Sequence, residues 1–388
     1  MARTGCRETA MNVEEVNRVS ALAGYREEWQ SLVESSPWRD VFQTYEWVTT
    51  WLECFWSEQP ISFLFVRDGA RLVGVAPLVQ DDSGALGCPN ALALPVNPHV
   101  RRLDVICGTT PGLVLEAALA HLRSTRGRLR IALRQSLAGS PVAAKLPNLA
   151  GGLGMRFQEL ETLPSPIVRI ETDWDTYLAT RSPHTRQELR RKVKKAETQH
   201  NLAWSVLERP ADASRAIESV LEIERKSWKE DSGTSFTSEA GLEQFYARIA
   251  TRFAEAGWLR VFLLGIKGSS VPVAHIFGAE YGHEYYAIKT SYDSAFRAAS
   301  PGLVLFYHAI RDCFERRLTA FDFLGTVARW KSELANDERR HLRVCVFSPL
   351  DLQCQWCSLR DQHLRPLLKR LVPGSSSMKL RLERILRT

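Results

Sequence analysis

Between residues 258 and 325 the apolar residues gather into short dense runs, WLRVFLLGIKG, VPVAHIFGAEYG and HEYYAIKTSYD, each closed by a turn. Runs of this length, rich in Val, Ile, Phe and Tyr and separated by glycine, predict an antiparallel meander of three strands. A loop, FRAASPG, leads into LVLFYHAIRDCFERRL, whose apolar positions recur at helical spacing, and TAFDFLG predicts one more strand. The break between Asp293 and Gly302 falls where a strand gives way to a helix. Free backbone N–H groups at such a place can meet an anion.

Elsewhere the pattern is less dense. Residues 14–35 predict a strand and a helix. In VFQTYEWVTTWLECFW, the positions Trp47, Val48, Trp51, Leu52 and Phe55 share a helical face, with Thr44 as N-cap. This aromatic stripe reads as core packing rather than ligand stacking. Residues 61–66 and 72–79 are apolar runs joined by Arg-Asp-Gly-Ala-Arg, a hairpin signal. A strand at 103–106, a helix from 111 to about 122 and a strand at 129–133 follow. Residues 137–166 are punctuated by glycine and proline and predict a boundary. Beyond it come a strand in SPIVRIE, a short helix capped by Thr172 or Asp173, and a basic helix with Leu189, Val193 and Ala196 as its apolar seam. A strand at 202–207 and helices at 212–228 and 238–256 precede the meander.

Each half thus contains a helix, a hairpin and a strand-helix-strand unit, although no residue-level repeat is evident. The fold class expected is mixed α/β (α+β), with mostly antiparallel sheets in two similar units. The units are an N-terminal domain at 1–150 and a C-terminal domain at 165–350, with a basic amphipathic tail at 351–388. One large irregular domain is the alternative. A length of 388 residues suits two or three domains.

No apolar run is long enough to span a bilayer, and the charged first residues lack the apolar core of a signal peptide, so a cytoplasmic location is expected. The eight cysteines are irregularly spaced, which fits reduced thiols, with Cys54, Cys107, Cys313 and Cys345 packed in apolar surroundings. Cys354 and Cys357 form a single Cys-x-x-Cys with only His363 nearby, too few ligands for structural zinc, and no metal is expected. No nucleophile elbow, Walker loop or dinucleotide fingerprint occurs.

The net charge of +7 is concentrated in two places. Residues 181–195 carry seven basic side chains against Glu188 alone, and residues 359–388 carry eight against Asp361 and Glu383. The first segment fits either a solvated helix face or a surface that neutralises phosphates. The second has leucines between its basic residues, which suits packing on the domain or peripheral contact with the inner membrane.

The pieces FQTYEWVTTWLECF, LVGVAPL, HTRQELRRKVKKAE, ERKSWKEDSGTSF, VPVAHIFGAE, YYAIKTSYDSAFRAASPG, FDFLG and RWKSEL occur in an order that resembles the CelD/BcsL-type acyltransferases. These are GCN5-related N-acyltransferase (GNAT) proteins associated with cellulose biosynthesis and related to the Fem aminoacyltransferases. The resemblance covers about 300 residues and rests on the ordered set. It implies tandem GNAT-like units, with acyl-CoA as co-substrate in the second and an amine acceptor; a nucleic-acid partner is not expected. Arg297, Ser300 and Gly302, followed by Leu303, approximate the family's Q/R-x-x-G-x-G/A pyrophosphate loop, with Ser in place of the first Gly. An ordinary helix start with Pro at its first turn is the plain reading of the same residues.

Acyl transfer to an amine needs a base, a polarised carbonyl and a proton for the thiolate. His275 interrupts an apolar strand and reads as a base or as a packed core histidine. Tyr292 is the expected proton donor, and Asp322, flanked by Phe321 and Phe323, a base or amine-orienting group. Lys289, expected on one face with Ala287 and Ser291, holds an anion or snorkels. Glu224 and Trp228, four apart on a helix, and Lys331 are expected near substrate; for the helix pair, packing is the competing reading. The activity expected is therefore N-acyl transfer from acyl-CoA in envelope polysaccharide or lipid synthesis, sphingoid bases included. A Fem-like transferase dependent on aminoacyl-tRNA and a non-catalytic GNAT-shaped accessory protein are the alternatives.

Overall fold

The computed structural model describes residues 11–81, 90–97, 102–227, 241–325 and 327–360. Trp228 and the tail beyond residue 360 lie outside them. The first half runs β1 (Asn12–Val16), α1 (Arg26–Ser35), α2 (Tyr45–Phe55), β2 (Ile61–Asp68), β3 (Arg71–Asp81), β4 (Ala91–Ala93), β5 (Ile106–Cys107), α3 (Pro111–Thr125), β6 (Arg130–Leu137), α4 (Pro141–Gly152) and β7 (Arg156–Glu161). The second runs β8 (Ser165–Arg169), α5 (Trp174–Ala179), α6 (Pro183–Thr198), β9 (Leu202–Leu207), α7 (Ala213–Arg225), α8 (Leu242–Glu255), β10 (Leu259–Ile266), β11 (Pro272–Tyr281), β12 (Glu284–Tyr292), α9 (Pro301–Glu315), β13 (Ala320–Asp322), α10 (Arg329–Leu334) and β14 (Asp337–Arg339). β15 (His341–Phe347) and α11 (Leu352–Leu359) close the described chain.

These strands form two mostly antiparallel sheets, the mixed α/β class expected. One has the order β1-β2-β3-β4-β6-β15-β7, with β5 beside β3, and the other β14-β8-β13-β12-β11-β10-β9. Each contains one parallel pair, β4 with β6 and β12 with β13. The stretch at 137–166, expected as punctuation, folds into α4 and β7. Ser140 caps α4 by accepting from the Ala143 N–H, and Pro141 occupies its first turn, where a missing N–H costs nothing.

The second half lends a strand to the first. β15, from the end of the described chain, lies between β6 and β7 of the first sheet, whereas β8, the opening strand of the second half, lies between β13 and β14 of its own sheet. The start of β15 touches the chain where it passes from one half to the other: the Thr162 N–H donates to His341 O at 2.9 Å, and Ser165 Oγ lies 2.9 Å from His341 Nε2. A residue-level repeat does exist. α3 and α9 both begin Pro-Gly-Leu-Val-Leu, at Pro111 and Pro301, both run for 15 residues, and each precedes the second strand of its sheet's parallel pair.

The aromatic face of α2 is core. Trp47 meets Phe42 edge-on at 4.8 Å and Phe245 of α8 at 5.1 Å, so one hydrophobic cluster spans both halves. Ion pairs also join them. Fully buried Asp322 accepts from Arg102 Nη1 and Arg339 Nη1, both at 2.7 Å; Arg102 also pairs with Asp40 and Arg339 with Glu284. The Arg102 guanidinium lies 5.3 Å from the Tyr286 ring centre, a further favourable contact for a buried cation.

Asp104, beside β5, is buried and accepts the Val105 N–H at 2.8 Å. Burial pushes its carboxyl up to about 7, against the opposing pull of the Ser140 hydroxyl and the Val105 N–H. The folded pKa lies above the unfolded one, so across that window the unfolded chain releases a proton the native state keeps. Stability therefore falls as pH rises from about 4 to about 7 and stays lower above. Asp104→Asn is expected to match the parent protein at pH 4 and exceed it by a few kcal/mol at pH 8, measured by urea denaturation across that range.

Candidate active site

β12 and β13 pair only over Glu284–Tyr286 and Ala320–Asp322; β12 then continues for six residues without β13 beside it, opening a gap at its C-terminal end. A bulge helps it part. Opposite β11, the register shifts so that Phe277 pairs with Lys289 and Gly278 with Ala287, leaving Ile288 as the extra residue. Gly278 is required there, because a Cβ would lie 2.4 Å from Tyr286 O.

The same bulge corrects the expected position of Lys289. Strict alternation places it with Ala287, but the extra residue turns Lys289 to the face of Phe277. On that face, between β11, β12 and α7, Glu224 Oε1 lies 3.4 Å from His275 Nε2 and Glu224 Oε2 lies 3.5 Å from Lys289 Nζ. All three are buried. Burial of an acid, a base and an imidazole together is costly unless they compensate one another.

After β12, Asp293 accepts the Ala295 N–H at 2.9 Å and starts the tight turn Ser294–Ala299. Ser300 follows at φ 52°, in the left-handed region that favours glycine. That is the position at which the related loop pattern has its first Gly. Pro301 then opens α9. The N–H groups of Gly302 and Leu303 belong to the first turn, where no carbonyl four residues earlier in the helix can receive them.

The gap and the turn enclose a cleft of about 370 Å³. Of the residues expected from sequence, His275, Tyr292, Arg297, Ser300, Gly302 and Leu303 line it together. A Cβ on Gly302 would sit 3.7 Å from Tyr292 Cδ1, so a larger residue would fill space between the helix and the strand. Glu224 and Lys289 stand behind His275.

Two others lie elsewhere. Asp322 is held by Arg102 and Arg339; burial alone would raise its pKa, yet the two guanidiniums hold it below the ordinary aspartate range. It is absent from the cleft wall and unsuited to act as a base. Lys331 Nζ donates to Leu324 O at 2.8 Å, securing the chain just after β13.

The cleft also holds residues not singled out from sequence. Ser291, opposite His275 in the β11/β12 pair, is buried, and its Oγ has no hydrogen-bond partner among the described residues. Lys192 brings the basic helix α6 to the cleft, and Lys195 Nζ lies 3.4 Å from Ala298 O. Trp330 and Phe306 supply an apolar wall, their ring centres 4.7 Å apart. Ser291 was legible as a polar residue interrupting an apolar strand, whereas the placement of Lys192 depends on how α6 packs. Among the described residues no cluster of three or more His, Cys, Asp or Glu is arranged to hold a metal ion, and no helix is long and apolar enough to cross a membrane.

Two substitutions follow from this geometry. Asp322→Ala leaves buried Arg102 and half-buried Arg339 each short of a partner and is expected to cost about 3–5 kcal/mol in chemical denaturation while sparing activity per folded molecule. Ser300→Gly relieves the left-handed residue and is expected to raise stability by up to about 1 kcal/mol in the same measurement.

Residues 183–332 match the family model described as an acetyltransferase (GNAT) domain. No curated protein sequence matches the chain. Among solved structures, the fold is similar to FemX, with a TM-score of 0.60 at 12% identity, covering 86% of this chain and 98% of that one. It is also similar to the C-terminal domain of a putative lysylphosphatidylglycerol synthetase from Agrobacterium fabrum, with a TM-score of 0.54 at 11% identity over 87% and 95% of the two chains. A third similar structure is L-PGS from Bacillus licheniformis, with a TM-score of 0.54 at 12% identity over 86% and 94%. At these identities the likeness is one of fold. The cleft at the open end of β12 thus lies within the stretch, residues 183–332, that matches the GNAT acetyltransferase domain model.

Proposed function

We propose that this protein is an N-acyltransferase that moves an acyl group from acyl-CoA to an amine. The observation that carries the reading is the single cleft in which the first turn of α9 meets His275, Ser291 and Tyr292. Arg297, Lys192 and the N–H groups of Gly302 and Leu303 receive the donor's phosphates, and the helix N-terminus favours their charge. Phe306 and Trp330 cover the apolar part of the donor.

The amine attacks the thioester carbonyl directly, forming C–N as C–S breaks. His275, braced by Glu224, takes the proton that the amine loses, and Tyr292 supplies one to the departing thiolate. Lys289 balances the charge of Glu224. The reaction balances without a covalent acyl-enzyme. The resemblance to CelD/BcsL-type proteins supports an acceptor from envelope polysaccharide or lipid synthesis. Leu352, Trp356 and Leu359, exposed along α11, support peripheral contact with a membrane surface.

A second reading, Fem-like aminoacyl transfer, is favoured by one observation: the basic helix α6 lies against the cradle through Lys192 and Lys195. Native mass spectrometry against acyl-CoAs of increasing chain length separates the two. Retention of at least one acyl-CoA, with free thiol released on adding an amine, is expected. His275→Ala is then expected to lower kcat by about 10²–10⁴-fold with donor binding intact, and Tyr292→Phe by at least tenfold. Failure to retain any acyl-CoA, with transfer from aminoacyl-tRNA instead, would replace the first reading with the second.

A further inference from the structure

Ten large apolar side chains stand exposed among the described residues, and four of them, Leu350, Leu352, Trp356 and Leu359, fall within a single run of ten positions. Single leucines scattered over a surface need no explanation, but a cluster does. Leu352, Trp356 and Leu359 belong to α11, at spacings of four and three that place them on one face of the helix. Leu350, just before the helix, is 87% exposed and Leu352 is 77% exposed, so neither is held by the fold.

The start of α11 fixes which face looks outward. Asp351 caps the helix by accepting the Cys354 N–H at 3.2 Å. Its carboxylate also accepts from buried Arg130 of β6, at 2.6 Å from Nε and 3.0 Å from Nη2. Cys354, on the side opposite Trp356 and the leucines, packs in a cluster with Ala91, Ala93, Ala132, Cys345 and Phe347 of the first sheet. The helix is therefore pinned with a small residue inward and its bulky apolar residues outward. An ordinary surface helix has the reverse arrangement.

We infer that this face of α11 docks onto a membrane surface that carries anionic lipid. The inference rests on the membrane contact proposed above, gives it a surface and a lipid charge, and is independent of the transfer chemistry. Charge selects the occupant. From the end of α11 the sequence continues, over residues 360–388, with eight basic residues against Asp361 and Glu383. Leucine and tryptophan beside such an excess match a surface that is apolar within and negative at its headgroups, and both signals together hold a protein where one alone does not. Tryptophan suits the boundary between headgroup and hydrocarbon. A second copy of this chain is a poor occupant, because it brings the same positive charge to the same face. Nucleic acid would meet the charge and leave the leucines uncovered.

The test sediments the full chain with vesicles of phosphatidylcholine alone and with vesicles of equal parts phosphatidylcholine and phosphatidylglycerol, at low and high salt. Binding to the anionic vesicles is expected to be roughly tenfold tighter or more and to weaken as salt rises. Trp356→Ala and the double variant Leu352→Ser, Leu359→Ser are each expected to weaken it by roughly tenfold or more. Leu113→Ser, at an exposed leucine on α3, is expected to leave binding unchanged. Replacing Arg365, Lys369 and Arg370 by Gln is expected to narrow the preference for anionic vesicles. If neither vesicle binds, the membrane contact and this inference both fall, while thiol release from acyl-CoA still reads the transfer reaction. Equal binding to both vesicles, or anionic binding that survives the α11 variants, overturns the inference and leaves a membrane contact of another kind. It is also overturned if, without lipid, the α11 variants dissociate an oligomer or lower thermal stability, since a second copy or the chain's own tail then covers the face.

Discussion

The first sheet lacks a strand that only the second half of the chain can supply. β15 fills the place between β6 and β7. A strand in the middle of a sheet satisfies backbone groups on both of its edges, so removing this one would orphan two ladders at once. The buried ion chain lies beside this crossing. β14 carries Arg339 to Asp322 immediately before the crossing, and Arg102 arrives there from the first half. The two units are consequently joined by a shared strand and by buried ion pairs, although every strand of the sheet behind the cleft comes from the second half.

The cleft uses the same physics on a smaller scale. A single extra residue, Ile288, parts β12 from its neighbour and turns Lys289 toward Glu224. Glu224, His275 and Lys289 then form a buried ionisable group that brings no obvious gain in stability over apolar packing. Its position directly behind the cleft supplies the rationale, since ionisable groups are kept buried chiefly where function uses them.

Local signals were legible and distant ones were not. Thr44 as the cap of α2, the Asp-Gly hairpin and the three-strand meander could be read because each depends on neighbours within about ten residues. The loop from Asp293 to Gly302 could be read for the same reason. The role of Asp322 could not: alternation gives its face, but its partner Arg102 is 220 residues away. Within residues 137–166, read as a boundary for their glycines and prolines, α4 and β7 went unread, although Ser140 followed by Pro141 is also a helix start. The crossing of β15 into the first sheet leaves no periodic trace. The Pro-Gly-Leu-Val-Leu repeat was present in the letters, and its meaning required the two helices to occupy equivalent places.

The late arrival of β15 has a consequence for synthesis. β7 ends at Glu161 and β15 begins at His341, so about 180 residues separate the first sheet's last local strand from the one that completes it. At ordinary ribosomal speeds that interval is roughly 10–40 s. During it, the facing edges of β6 and β7 have no native partner, an exposure that invites pairing with other chains. The nascent chain must therefore be kept from aggregation while the second half is made, and the emergence of β15, rather than completion of the first half, sets the moment at which the N-terminal unit becomes native.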